Sequence, residues 1–194
     1  MIIDDILFGD SYDPYIIRAY KGDTVIYERE KWDYTVYNHL FRGDDKTKHI
    51  YTGIQPFSSE NIERDWEMII NANTVETSES SSTIGIISCT DTSALIHYSL
   101  EIGIRPAGLY VYARGKLSGP TDTVLSCNPI DKDVKLVKTD DNINLYVDDV
   151  LLASYSMTDT RASSDEICLG RWYGGRGSYY FSGFMNYFKF KFTS

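Results

Sequence analysis

The sequence is poor in features that mark several large classes of protein. It has 3 cysteines, Cys89, Cys127 and Cys168, at wide spacings and without a Cys-x-x-Cys pair. This pattern argues against a zinc site or a disulfide framework, and we expect free, buried thiols in strands. No apolar run is long enough to span a membrane, and the first residues lack the basic segment of a signal peptide. We therefore expect a protein made in a cytoplasm, with no membrane partner.

Positive charge is also scarce. The chain has 19 Lys and Arg against 28 Asp and Glu, which gives a net charge of −9. Binding to nucleic acid needs clustered Lys and Arg that neutralise phosphates. We therefore expect no nucleic-acid partner. An acidic surface of this kind favours solubility and fits neutral or basic partners.

Helical periodicity of useful length is absent as well. In its place, short β-rich runs alternate with clusters of Asp, Ser, Thr, Gly and Asn. Many short strands with turn signals between them predict an all-β protein, either an antiparallel β-sandwich or a barrel. Aromatic residues make up 14% of the chain, and 16 of them are tyrosines. Tyrosine suits a strand with one solvated face because its ring is apolar and its hydroxyl is polar.

The last β-rich run alternates apolar and polar side chains with a period of two, which is typical of a half-buried strand. The parity predicted to be buried consists of Phe184, Phe188, Phe190 and Phe192. The parity predicted to face outward contains Tyr187, Lys189 and Lys191. We expect the outward row to be available to a partner.

Other runs repeat this pattern. Trp66, Met68 and Ile70 alternate with polar residues and are predicted to share one buried face. A meander is predicted to comprise Val134–Lys138, Ile143–Val147 and Val150–Tyr155. Its turns are predicted at 140–142 and 148–149, because Asp tolerates the left-handed backbone that such turns need.

The N-terminal part carries a separate signal. Tyr15–Glu28 predicts a β-hairpin around the turn Lys21-Gly22-Asp23. An isolated hairpin is marginally stable in water, so it must pack on the main domain or on another subunit. A charged stretch follows, and it ends in a second turn signal near residue 44. We predict an N-terminal hairpin module at 1–47 and a main domain at 48–194.

Several segments of the main domain, in order, resemble concanavalin A-like (laminin-G-like) jelly-roll domains. His49–Pro56 resembles their opening segment, and Trp66–Ile70 resembles the strand that follows it. Asn144–Ala153 is similar to their central hairpin, with two aspartates where Gly or Asn-Gly is usual. Ile167–Gly170 and Tyr180–Phe188 resemble their closing strands. The resemblance implies a lectin-like antiparallel jelly roll.

The hairpin Tyr20–Glu28 is similar to segments in structural proteins of tailed bacteriophages and prophages, to which lectin-like jelly rolls are often appended. This resemblance implies a non-enzymatic virion structural or surface-display protein. It would form oligomers through the N-terminal module and expose the jelly roll to host surface glycan or to other virion proteins. A stand-alone carbohydrate-binding module is the alternative.

Candidate catalytic residues occur at Glu63, Asp65 and Glu67. As one strand they would share a face, with the spacing of the Glu-x-Asp-x-Glu motif of laminarinase-type glucanases, whose paired carboxylates cleave glycosidic bonds. The flanking Trp, Pro and Gly of that motif are missing, and the strand comes early in the domain. We therefore expect no enzymatic activity, with a glycoside hydrolase as the alternative.

A candidate ligand-binding loop contains Arg171, Trp172, Tyr173 and Arg176. Aromatic rings in a Gly-rich loop can stack on sugar rings, and arginines can donate to sugar hydroxyls or acids. The alternative is that Trp172 packs on the core or on a neighbouring subunit.

Aspartates are concentrated in the predicted turns of the C-terminal half. They are Asp131, Asp133, Asp140, Asp141, Asp148 and Asp149. Calcium sites need several converging oxygens, and no EF-hand spacing is present. Because turns favour Asp for backbone reasons alone, we predict no metal and no cofactor, with calcium as the alternative.

Overall fold

The computed structural model describes residues 18–21, 24–28, 32–41, 50–74, 84–87, 98–105, 108–115, 117–121, 123–158, 162, 166–174 and 177–194. Within these ranges the regular elements are β-strands, and their pairings are antiparallel. The predicted fold class is therefore confirmed. The described part of the chain contains no helix with the length and apolarity needed to cross a membrane.

The strands follow one another along the whole described chain. They are β1 (Arg18–Lys21), β2 (Thr24–Glu28), β3 (Tyr34–Phe41), β4 (Ile50–Tyr51), β5 (Trp66–Thr74), β6 (Ile84–Ile87), β7 (Tyr98–Arg105), β8 (Gly108–Gly115), β9 (Leu117–Ser118), β10 (Thr123–Leu125), β11 (Asp133–Thr139), β12 (Asn142–Val147), β13 (Val150–Met157), β14 (Cys168–Leu169), β15 (Arg171–Gly174), β16 (Gly177–Tyr180) and β17 (Gly183–Phe192).

Two large sheets form a sandwich. A seven-stranded sheet has the order β3-β17-β5-β11-β12-β13-β9, and a four-stranded sheet has the order β10-β8-β7-β6. Trp66 and Leu136 of the first sheet share one hydrophobic core with Leu100 and Val111 of the second. Each sheet therefore buries one face against the other, which leaves the opposite face of the seven-stranded sheet for solvent or a ligand.

Strand β5 lies in the centre of the large sheet and follows the predicted alternation. Trp66, Met68 and Ile70 are fully buried, as predicted. The Trp66 ring lies 6.2 Å from the Phe57 ring and 5.8 Å from the Phe190 ring, measured between centroids. The side chains between them, Glu67 and Ile69, therefore lie on the opposite face.

Strand β17 follows the predicted alternation over only part of its length. Phe188 and Phe190 are fully buried, as predicted, and Phe192 is partly buried and packs against the core. The pairing with β5 shifts between Met185 and Tyr187, so Asn186 is an extra residue in β17. Because of the extra residue, the alternation of buried and outward side chains shifts by one position across the bulge. Met185 is consequently fully buried and Phe184 only half-buried, so the prediction for Phe184 is wrong.

Strand β3 is an edge strand of the large sheet. It pairs with β17, from Tyr34 opposite Phe190 to Phe41 opposite Gly183. The division into 1–47 and 48–194 stays a prediction about domains, but it would remove from the main domain a strand that is hydrogen-bonded to β17. Strands β1 and β2 confirm the predicted hairpin over its described residues, but Lys21, which was predicted in the turn, lies in β1 opposite Thr24.

The meander β11-β12-β13 is also confirmed. Its turns have left-handed backbone at Asp140, with φ of 50°, and at Asp148 and Asp149, with φ of 46° and 62°. Two successive positive φ values are typical of the two-residue turn that matches the twist of a hairpin. Aspartate therefore takes the place usually held by Asn-Gly.

Candidate ligand-binding face

The outward face of the seven-stranded sheet carries a group of polar and aromatic side chains from neighbouring strands. Strand register arranges them in three cross-strand rows. The end row contains Tyr37, Tyr187, Asn71 and Asp133, the middle row Thr35, Lys189, Ile69, Lys135 and Tyr146, and the third row Lys191, Glu67, Val137, Asn144 and Ser154. We call these rows the outward face. Directly paired residues in a sheet point to the same side, so each row presents its side chains together.

A shallow depression lies between the end row and the middle row. It has a volume of about 240 Å³ and is lined by Ile69, Asp133, Lys135, Asp148 and Asp149. The two turn aspartates reach it from the loop between β12 and β13. The depression therefore combines an apolar side chain with charged donors and acceptors, which suits a small polar ligand with both hydroxyl groups and C–H surface.

Ion pairs hold the charged rim of this depression. Lys135 Nζ donates to the Asp149 carboxylate, and this hydrogen bond raises the pKa of Lys135. Lys132 Nζ lies 3.0 Å from Asp148 Oδ2, and the hydrogen bond from Lys132 lowers the pKa of Asp148. Asp148 Oδ1 also accepts the backbone N–H of Asp133 at 3.2 Å. The turn is therefore fixed to β11.

A network of side-chain hydrogen bonds connects residues of the end row. Asn71 Nδ2 donates to Asp133 Oδ1 at 2.8 Å, and the Tyr187 hydroxyl donates to the same oxygen. Asn186 Nδ2 donates to Asn71 Oδ1 at 2.7 Å. The bulge at Asn186 is what brings its amide to this network. These polar side chains are held in place before any ligand arrives.

The aspartates proposed for calcium are distributed over separate contacts. Asp131 accepts Asn73 Nδ2 at 2.9 Å and Asn186 Nδ2 at 3.3 Å, whereas Asp133 Oδ1 accepts Asn71 Nδ2 and the Tyr187 hydroxyl. Within the described ranges, no cluster of His, Cys, Asp or Glu side chains is placed to hold a metal ion. Calcium binding stays a prediction.

A tryptophan missed by sequence reasoning lies at one corner of the outward face. Trp32 precedes β3, and its ring is 4.4 Å from Lys191 Nζ and 5.8 Å from Lys189 Nζ. Lys189 Nζ also lies 4.6 Å from the centroid of the Tyr187 ring. We call these four residues the Trp32 patch. Sequence reasoning found its strand residues but assigned Trp32 to the separate N-terminal module.

The three candidate catalytic carboxylates do not share one strand face. Glu63 lies in a turn, and both Glu63 and Asp65 precede β5, which begins only at Trp66, so the one-strand prediction is wrong for these two residues. Asp65 Oδ1 accepts the backbone N–H of Asp140 at 2.8 Å. Glu67 Oε2 lies 3.3 Å from Lys191 Nζ. The described contacts of Asp65 and Glu67 connect neighbouring strands.

Lys138 is a buried lysine that contacts the segment before β5. It is 1% exposed, and its Nζ donates to the backbone oxygen of Arg64 at 3.0 Å. Nζ also lies 3.9 Å from Asp65 Oδ1. A buried ammonium must have such partners because burial of an unpaired charge is costly. Asp65 therefore helps to compensate a buried lysine.

The candidate ligand-binding segment is a hairpin in its described part. Arg171, Trp172 and Tyr173 lie in strand β15, which pairs with β16, so the prediction of a loop is wrong for these residues. Arg176 lies outside the described residues. A binding role for the segment stays a prediction.

Comparison with known proteins gives matches by structure. No protein-family model and no curated protein sequence matches the chain. The CBM40 of the Ruminococcus gnavus IT-sialidase, solved with α2,3-sialyllactose, matches with a TM-score of 0.55 and 13% identity over 84% of this chain and 95% of that chain. Its complex with α2,6-sialyllactose gives a TM-score of 0.52 and 12% identity over the same shares.

A second kind of domain matches as well. Domains LG4-5 of the mouse laminin α1 chain match with a TM-score of 0.52 and 12% identity, over 90% of this chain and 48% of that chain. At such identities the likeness concerns the fold. The chain is an antiparallel β-sandwich of the jelly-roll, lectin-like type, as its resemblance to laminin-G-like domains implied.

Proposed function

We propose that this chain is a non-enzymatic glycan-binding domain whose ligand lies on the outward face. The observation that carries the proposal is the depression of about 240 Å³, in which Ile69 lies beside the paired groups of Lys135 and Asp149. Sugars present hydroxyls and C–H surface together, so this mixture of groups complements them. The surrounding strands fix the side chains, which lowers the entropy lost on binding.

The fold supports the same proposal by analogy. A carbohydrate-binding module of similar fold has been solved with sialyllactose, and the match covers most of both chains. Fold likeness alone does not assign a ligand, so the residues of the outward face must carry the argument. The separate contacts of Asp65 and Glu67 also favour binding over catalysis.

A glycan array and a matched pair of variants test this proposal. Tyr146 lies in the middle row, with Lys135 Nζ 5.5 Å from its ring centroid. Tyr146→Ala is expected to weaken glycan binding about tenfold, or about 1.4 kcal/mol, because a stacking surface is lost. Tyr51→Ala is the control, since Tyr51 is 43% exposed on β4, which pairs with β14 and is not a strand of the seven-stranded sheet. Absence of saccharide binding by the wild-type protein at millimolar concentration would contradict the proposal.

The second candidate function is a structural or surface-display protein of a phage or prophage virion, made in the host cytoplasm. The observation that favours it is the β1-β2 hairpin, which forms where the resemblance to virion proteins placed it. In this proposal the hairpin mediates self-association or contact with other virion proteins. The outward face then remains available for host glycan.

Light scattering of two chains tests the second candidate. The full chain is expected to be oligomeric, and a chain without residues 1–31 is expected to form a smaller assembly. This deletion keeps Trp32 and β3, and β3 pairs with β17, so every described strand of the two large sheets is retained. Circular dichroism confirms folding of the shortened chain. A full-length protein that is strictly monomeric would exclude assembly through the hairpin.

A further inference from the structure

We propose that the Trp32 patch binds the carboxylate of an acidic saccharide, with Lys189 as the anion contact and the Trp32 ring as the surface for the sugar. This inference rests on the proposed glycan-binding function and narrows it to one class of ligand. It places a recognition site at β17, beside the depression formed by β11 and the β12-β13 turn.

Backbone contacts hold Trp32 in position. The N–H of the next residue, Asp33, donates to the backbone oxygen of Phe190 at 2.9 Å. The carboxylate of Asp33 accepts the N–H of Phe192 at 2.8 Å. Asp33 therefore fastens the chain to β17 on both sides of Lys191. The indole ring is held near the two lysines without a ligand, so little ordering is required on binding.

Lys189 differs from other lysines of the sheet in its partners. Among the described residues, no carboxylate lies within 4.0 Å of its Nζ. Carboxylate partners are present for four other lysines, in the pairs Lys132–Asp148, Lys135–Asp149, Lys138–Asp65 and Lys191–Glu67. The ammonium of Lys189 instead faces the rings of Tyr187 and Trp32. Its charge and its N–H donors are therefore available to an external anion.

The residues around Lys189 favour an anion with one carboxylate over a polyanion. An ammonium beside an indole ring complements a molecule that has a carboxylate next to apolar C–H groups, and an acidic sugar has both. A polyanion is disfavoured because Asp133, Asp148 and Asp149 lie on the same side of the sheet, and the chain carries a net charge of −9. The patch thus fits a saccharide with one carboxylate better than a nucleic acid or a heavily sulfated chain.

A paired ligand panel tests this inference. The probes are disaccharides with one uronic acid each, together with the neutral disaccharides obtained by reducing that carboxyl. Calorimetry on the full chain is expected to show at least tenfold tighter binding of the preferred acid than of its neutral counterpart. Lys189→Gln is expected to remove this preference, so that the acid binds no more tightly than its neutral counterpart. Lys189→Arg keeps the charge and is expected to retain most of the preference.

Lys21→Gln is the matched control. It makes the same chemical change at a lysine of β1, a strand of the separate two-stranded sheet, so the acid preference is expected to survive. Thermal unfolding of each variant separates loss of binding from loss of structure, and Lys189→Met, which also removes the charge, replaces Lys189→Gln if that variant does not fold.

The outcomes separate the inference from the proposed function. Equal affinity for acid and neutral sugars in the wild type, or a preference that survives Lys189→Gln, overturns the inference and leaves glycan binding intact. Failure of the wild type to bind any saccharide overturns both. A hexaglutamate peptide that binds as tightly as the preferred uronic acid assigns the patch to an acidic protein partner and overturns the sugar assignment.

Discussion

Phe190→Ala is expected to lower the free energy of unfolding by about 3–5 kcal/mol, the usual cost of removing a buried aromatic side chain. Phe190 is fully buried, and its ring lies 5.8 Å from Trp66 and 5.0 Å from Phe192, measured between centroids. The substitution removes apolar contact with both sides of the ring and leaves a cavity between rigid strands. Urea denaturation, followed by tryptophan fluorescence, measures the loss.

Phe184→Ala is the control within the same strand. Strict alternation would place Phe184 on the same face as Phe190, but the bulge at Asn186 turns it away from the core. Its removal is expected to cost about 1 kcal/mol, typical of a half-exposed side chain. Equal losses for the two variants would contradict the bulge and restore the simple alternation of the sequence.

Local pattern was sufficient to predict much of the sheet. The period of two placed Trp66, Met68 and Ile70 correctly because their burial depends on one strand facing one core. The turns of the meander were also predictable, since the left-handed backbone at Asp148 and Asp149 is a property of a few neighbouring residues.

Features that depend on distant pairing were not predictable in this way. Asn186 becomes an extra residue only because Met185 and Tyr187 align with consecutive residues of β5. Strand β3 was assigned to the N-terminal module because a turn signal follows it, whereas its partner β17 is at the other end of the chain. A single sequence contains no direct signal for either pairing.

The candidate site likewise contains some residues that the sequence predicted together and others that it did not. Alternation within β17 identified Tyr187, Lys189 and Lys191 as an outward row. Trp32 joins them only through the hydrogen bonds of Asp33 to β17, and Lys135 lies in the middle row only through strand register. Adjacent residues on one strand were therefore predictable as a group, and residues brought together across strands were not.

The same limit explains the error at Glu63. The spacing of Glu63, Asp65 and Glu67 is compatible with a strand, but hydrogen bonds from the N–H groups of Asn61 and Ile62 to the backbone oxygen of Ser58 fold the preceding segment into turns. Asp65 lies beside the buried Lys138, with its Oδ1 3.9 Å from the Lys138 Nζ. A carboxylate spacing taken alone cannot distinguish a catalytic strand from such a structural arrangement.

Gly170→Ala is the second substitution with a large expected effect. Gly170 connects β14 to β15 with a φ of +83°, and a Cβ at this position would lie 2.3 Å from Cε1 of Phe41. Phe41 is 1% exposed and packs against Phe181 with a centroid distance of 5.8 Å, so its ring has little room to move. Left-handed strain of about 1–2 kcal/mol and overpacking of about 1–3 kcal/mol predict a total loss of about 2–5 kcal/mol.

Gly53→Ala separates the two causes of this loss. Gly53 has a similar φ of +72°, but no atom lies within 4 Å of the position that a Cβ would take. Gly53→Ala is therefore expected to lower the free energy of unfolding only by the backbone strain, about 1–2 kcal/mol, as measured by urea denaturation.

A Phe41→Ala substitution made together with Gly170→Ala should cost less stability than the sum of the two single changes, because the smaller side chain leaves room for the new Cβ. Equal losses for the two glycine variants, with additive behaviour of the pair, would show that Gly170 is required for its backbone angle and not for its contact with Phe41.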